Sequence, residues 1–290
     1  MVDSLHNKPG RVSYCVLHPD GRILHQVRDV LPVYSLTKTL IAGLVAEMGI
    51  PNHQRISHWI SEEVCPHPIT VSQLLNHSSG LPDYGHLSAY QTAIQQGQIW
   101  DDATFIAQTL AKPLQSTPGF KFAYSNPGYW LLKRIIEIES GQSFEDALAE
   151  FIFIPNQMQS AYVARGQFDE GLPGYTAQWV WHGLVMSDAT DMARFLHERR
   201  GIDYMANAVA VPGVHASWRH PHYGNGLMIE PNDRFGHNGG GPGYSSSAMH
   251  FVKTGATACV IESIDDHSPP DSAQASLLAL MSELGYPSSI

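Results

Sequence analysis

The chain has 290 residues, 43% of them hydrophobic, enough for one large domain or two smaller ones. It carries 27 acidic and 17 basic residues, a formal net charge of -10. Its Lys and Arg residues gather no further than pairs, which argues against a nucleic-acid partner and against an anionic membrane surface. No apolar run approaches roughly 18 residues without a charge, so no membrane span is expected.

The opening MVDSLHNKPG is polar and lacks the charged-then-apolar pattern of a secretory signal. Cys15, Cys65 and Cys259 are far apart and form no CxxC, and they read as buried small residues of a reducing compartment. A cytoplasmic location is the expectation, although a chain trimmed of its signal would read the same.

In chain order, RVSYCVLH and RILHQV flank PDG and predict a hairpin over residues 11–28. LPVYSLTKTLIAGLVAEMGI (31–50) predicts a buried helix beginning near Ser35. From about 50 to 200 the text is mostly helical. SAYQTAIQQGQIW, DDATFIAQTLAKPL, GYWLLKRIIEIESG, SFEDALAEFIF and SDATDMARFLHERR carry helical spacing, caps or Gly stops. Beyond about 222 the period shifts to strands in GLMIEP, RFGHN, YSSSAMHFV and ATACVIES. The last helix, DSAQASLLALMSELG, has Asp271 as its expected cap and Gly285 at its stop. Strands at both ends with helices between them predict an α+β architecture, with an antiparallel sheet built from both chain ends and flanked by helices. A mainly helical lobe lies beside it, and the site is expected in the cleft between them. The expected division is 1–50 with 205–290 for the sheet lobe and 51–204 for the helical lobe.

Within the 31–50 helix, Leu36, Leu40, Ile41, Leu44, Val45 and Met48 form one apolar stripe. Ser35 and Lys38 lie about 60° apart, away from its centre, and Ala42 and Ala46 share their face. Burial would strip water from Lys38, lower its pKa and leave a neutral amine beside a hydroxyl, the pairing of a general base with a nucleophile. Backbone N–H groups at the helix start can face an oxyanion. S-x-x-K by itself is a weak signal, since a lysine can also extend its stem to reach water.

YSLTK, ITVSQLLNHSSGLPDY, TPGFKFAYSNPGYWLLKRIIEIESGQSFEDAL and GHNGGGPGYSS are more specific together. Through them the chain, over roughly residues 11–265, resembles the serine β-lactamase and penicillin-binding-protein superfamily. It is most like the class C branch of β-lactamases, D-amino-acid peptidases and carboxylesterases. The resemblance implies a β-lactamase/transpeptidase-like fold and a Ser-Lys-Tyr acyl-enzyme mechanism on a small ester or amide, with no cofactor. It also implies a Tyr-x-Asn in the cleft wall, which Tyr124-Ser125-Asn126 and Tyr223-Gly224-Asn225 both fit. Tyr124 is preferred because Pro127 starts a helix right after it, whereas Tyr223 sits among glycines and reads as a turn. A charged Lys38 would favour the Tyr124 phenolate, so the two are expected to titrate as a coupled pair. By resemblance Asn126 holds Lys38 and the acyl amide of the substrate.

The third motif of the family lies on a sheet-edge strand. Lys253-Thr254-Gly255 matches its common lettering but reads as a hairpin turn between AMHFV and ATACV. His237-Asn238-Gly239 is the better match. By resemblance His237 faces the substrate, Gly239 lets the backbone approach it, and Gly240 supplies the second oxyanion N–H. A histidine in place of a fixed cation tilts the expectation toward neutral esters or amides, esterase-like before β-lactamase or D-alanyl peptidase. Tyr84 in GLPDYG falls on the cleft-rim loop, as an acyl-pocket wall or as an ordinary loop residue. Whether Lys38 or Tyr124 is the base stays open, as do the physiological substrate and the oligomeric state. A non-catalytic ligand-binding module on the same fold is the rival of another class.

Other chemistries lack their motifs. There is no HExxH or HxHxDH, and His220-Pro221-His222 has no carboxylate cluster close after it, so no metal is expected. HNGGG is like a lipase oxyanion stretch, but no G-x-S-x-G exists; no nucleotide-binding glycine loop occurs either. The stretch from Asn126 to His237 is short for the class C branch, which suggests trimmed loops over the acyl pocket.

Overall fold

The computed structural model describes residues 5, 10–213, 217–265, 267–269 and 271–286. Most of the polar opening stretch lies outside the described residues. The first hairpin forms as its sequence predicts: β1 (Val12–Leu17) and β2 (Ile23–Val27) pair antiparallel, with Gly21 at φ 84° in the turn. Three short strands follow that the pattern of apolar residues does not reveal: β3 (Leu31–Pro32), β4 (Tyr162–Val163) and β5 (Val185–Ser187). They form a small sheet in the order β3-β5-β4.

The remaining strands are β6 (Val209–Ala210), β7 (His222–Gly224), β8 (Leu227–Glu230), β9 (Arg234–Gly241), β10 (Tyr244–Phe251) and β11 (Thr257–Ser263). With the first hairpin they make an eight-stranded antiparallel sheet in the order β2-β1-β11-β10-β9-β8-β7-β6. Both chain ends therefore meet in one sheet, as expected, through the pairing of β1 with β11. Lys253-Thr254-Gly255 lies in the β10–β11 turn, where it was read, with Gly255 at φ 73°.

The helices are α1 (Thr37–Glu47), α2 (Val71–Leu75), α3 (Ser88–Gln95), α4 (Asp102–Gln108), α5 (Asn126–Ser140), α6 (Phe144–Leu148), α7 (Ala189–Glu198) and α8 (Ser272–Glu283). Among the described residues, no helix is long and apolar enough to cross a membrane. Alternation along the central strands covers both sheet faces. Tyr14, Val16, Ala258 and Val260 pack with Leu277 and Met281 of α8, while Cys15, Leu17, Cys259 and Ile261 join the larger core with Phe195 of α7. All three cysteines are buried and free, and Cys15 stands opposite Cys259 in the β1–β11 register. α7 comes from the middle stretch of the sequence, yet it packs on the sheet.

The caps of α5 and α7 follow local chemistry. Ser125 and Asp188 accept N–H groups of the first turns of α5 and α7, and Gly141 closes α5 in the left-handed region. Asp271 does not cap α8: its ψ of 21° is not the extended cap geometry, and its side chain makes no cap hydrogen bond. Ser245 of β10 accepts the Ala273 N–H instead, at 3.2 Å, so the sheet supplies the cap. Gly285, at φ 79°, follows the helix end as predicted.

Candidate active site

α1 is buried from Thr37 to Val45 without a break. Each of Leu40, Ile41 and Leu44 contributes about 1.5–3 kcal/mol by leaving water, which fixes the helix in the middle of the molecule. The helix does not begin at Ser35 as expected. Ser35 sits in a single 3-10 turn, Tyr34–Leu36, which runs into α1. Tyr34 carries φ 45°, a left-handed conformation that costs a bulky residue about 1–3 kcal/mol.

The surroundings hold this turn. The Tyr34 hydroxyl donates to the Pro242 carbonyl at 2.6 Å, Ser246 Oγ donates to the Val33 carbonyl at 2.8 Å, and the Val33 N–H donates to the Val185 carbonyl at 3.0 Å. A Cβ on Gly239 would lie 2.3 Å from the Val33 oxygen and 2.9 Å from Ser35 N; one on Gly241 would lie 2.3 Å from the Tyr34 ring. Gly239 therefore lets β9 pack closely against the serine turn.

Lys38 is 0% exposed. Its Nζ lies 3.1 Å from Ser35 Oγ, 2.7 Å from Asn126 Oδ1 and 3.2 Å from His182 Nε2. Burial lowers its pKa to about 7, with the Asp83 charge opposing weakly. The Tyr124 hydroxyl lies 3.0 Å from Ser35 Oγ. Burial holds this phenol above its usual range, and the hydrogen bond to Ser35 offsets only part of that. The expected phenolate is thus disfavoured. It rested on a charged Lys38, and burial acts against both charges at once.

The Tyr124–Asn126 turn is anchored from two sides. The Ser125 N–H donates to His77 Nδ1 at 3.1 Å, and the Asn126 N–H donates to Asp83 Oδ1 at 2.8 Å. His77, itself at φ 55°, lies with its ring 4.3 Å from that of Tyr124. Tyr223 is on β7 rather than in a turn; it is buried, and its hydroxyl is 2.8 Å from His237 Nε2. His237 is thus buried, with Nε2 taken up by Tyr223. Its Nδ1 meets the Asn238 carbonyl, and burial, with the nearby Lys38 charge, lowers its pKa to about 3.

A cavity of about 140 Å³ opens on Ser35. Tyr84, Tyr90, Tyr175 and Trp179 form its aromatic wall, and Asn126, His182 and the exposed Gly240 share its lining. Tyr84 is accordingly a buried wall residue, packed on Tyr90 and accepting the Trp181 N–H at 3.3 Å. No Lys, Arg, Asp or Glu lines this cavity among the described residues. A larger cavity, about 450 Å³, lies against Ala42, Gly43 and Ala46 of α1 and contains no member of the serine cluster. Ser35, Lys38, Tyr124 and Asn126 are brought together as expected, with Tyr84 and Gly240 beside them. His77 and His182 were missed, since single histidines in loops carry no spacing signal.

Fold and site together define a serine-centred member of the β-lactamase/transpeptidase-like class. The octameric penicillin-binding protein homologue from Pyrococcus abyssi superposes with a TM-score of 0.77 at 23% identity, over 99% of this chain and 76% of that one. A model of the Beta-lactamase family matches residues 10–280, and the chain belongs to that family. A penicillin-binding protein of Bacillus subtilis (strain 168) is 25% identical over 252 residues, 72% of this chain and 54% of that protein. A D-aminopeptidase of Brucella canis is 26% identical over 244 residues, 75% of this chain and 45% of that enzyme. The chain thus spans about half the length of these relatives.

Proposed function

We propose that the protein is a serine hydrolase of small, uncharged esters or amides, esterase-like in preference, working through an acyl-enzyme on Ser35. The observation that carries this reading is the approach of two proton carriers to one hydroxyl: Lys38 Nζ at 3.1 Å and Tyr124 OH at 3.0 Å from Ser35 Oγ. Ser35 Oγ attacks the carbonyl carbon while its proton passes to the neutral Lys38 amine. The N–H groups of Ser35 and Gly240 hold the oxyanion. Tyr124 keeps its own proton in the resting state and so serves to hand one to the leaving group, while the proton on Lys38 replaces it. Water then attacks the acyl-enzyme, and the same groups run in reverse. No cofactor enters this scheme.

The cavity supports the substrate class. Its volume is about that of one aromatic ring or a short aliphatic acyl group. Its aromatic walls and lack of fixed charge favour an apolar, uncharged acyl part. His237, neutral and turned toward Tyr223, offers no cation for the carboxylate of a β-lactam or a peptide C-terminus.

A fluorophosphonate probe should label the protein, and Ser35→Ala should abolish the labelling. Absence of labelling from pH 6 to 9 would leave the rival reading, a ligand-binding module on this fold. Short p-nitrophenyl esters, D-alanyl amides and a chromogenic cephalosporin, compared by kcat/KM, separate the substrate classes. Fast turnover of the cephalosporin only would overturn the ester reading, and preference for the D-alanyl amide would move it toward the named activity of the Brucella canis relative.

A further inference from the structure

We infer that His182 is a positioning residue for Lys38: its Nε2 accepts one N–H of the amine and thereby turns the amine's lone pair to Ser35. This rests on the hydrolase reading of the site. His182 is 3% exposed and precedes β5, and its Nε2 lies 3.2 Å from Lys38 Nζ. A neutral amine has two N–H donors and one lone pair. Asn126 Oδ1, 2.7 Å away, is an acceptor and takes one N–H. If His182 Nε2 takes the second, the lone pair is left for the Ser35 hydroxyl at 3.1 Å.

The opposite tautomer, with the proton on Nε2, would donate to the amine and occupy that lone pair. Ser35 would then have no free base. The working tautomer therefore carries its proton on Nδ1, a buried atom with no hydrogen-bond partner among the described residues. That unpaired N–H is a cost of this tautomer, which the bond between Nε2 and the amine has to offset. In the transfer step the Ser35 O–H bond breaks and a third N–H forms on Lys38, and the ammonium keeps its bonds to Asn126 and His182.

The groups that face Lys38 are Ser35 on its own turn, Asn126 and Tyr129 of α5, Tyr124 before it, His77 after α2, His237 of β9 and, more remotely, Asp83. None of these changes when His182 is replaced. His182→Phe keeps the bulk and loses the acceptor. The rate of Ser35 labelling by a fluorophosphonate should fall, up to about 100-fold for a misdirected base. Its acid limb should also move to lower pH, because the ammonium loses a hydrogen bond. His182→Gln, which retains an acceptor, should recover part of the rate. An unchanged rate, or a lower rate with the limb unmoved and no recovery by Gln, would overturn the inference. Nitrogen-15 spectra of the histidines in the wild-type protein at pH 8 test it without any variant: a proton on His182 Nδ1 is expected, and one on Nε2 refutes it. A wild-type protein that takes no label but shows the Nδ1 tautomer would count against the hydrolase reading and leave this geometry standing.

Discussion

At the scale of the residue, the chemistry turns on where one proton rests. Among the described residues no carboxylate touches Lys38, and dehydration brings its pKa to about 7. If the neutral amine is the base, kcat/KM rises with pH through a midpoint near that value. Protonation below it removes the lone pair. Lys38→Arg should lose at least about 10²-fold at every pH from 6 to 9, since a guanidinium does not deprotonate there. A flat pH profile, or an active arginine variant, would point to Tyr124 as the base. The Tyr124 phenol, held above its ordinary range, is better suited to donate than to accept.

At the scale of the element, the serine is aimed by a strained turn clamped against a strand. Tyr34 takes a left-handed conformation because its ring lies over Gly241 and its hydroxyl reaches Pro242. Gly239 fits under the Val33 carbonyl with no room for a methyl group. Gly239→Ala should therefore push β9 from the turn, with a loss of about 1–3 kcal/mol in stability from overpacking. It should also reduce kcat by about tenfold or more through misplacement of Ser35. Urea unfolding and steady-state kinetics on the same variant check both. Wild-type stability and activity would mean that β9 has slack the packing does not show.

At the scale of the whole molecule, the chain buries histidines in neutral form at the junction of α1, α5 and β9. His77 and His182 are held well below the ordinary range and His237 at about 3, in each case chiefly by loss of water. In the unfolded chain these rings take up protons near pH 6.5. Between that pH and their folded values the unfolded state binds more protons, so stability falls as pH falls. The slope is up to about 1.4 kcal/mol per pH unit for each ring. Lys38 adds the same sign in a higher window, from 10.5 down to about 7. The urea midpoint should thus drop steadily from pH 6.5 to 4.5, and His237→Gln should make that slope shallower. An identical slope in the variant would show that His237 is not held neutral.

The sequence determined whatever depends on neighbours along the chain. A continuous apolar run around Lys38 is enough to predict a buried amine, and Pro127 after Tyr124-Ser125-Asn126 is enough to predict a helix start that holds the tyrosine. The Lys253 turn was legible from the strands on either side of it. Contacts between distant segments were not. His182 meets Lys38 across 144 positions, so no local pattern records the pair. The direction in which His237 points depends on Tyr223, on a strand that glycines disguise as a turn. The fate of the phenolate and the use of Gly239 likewise waited on tertiary structure, because desolvation and close packing belong to the folded surroundings of a residue rather than to its place in the chain.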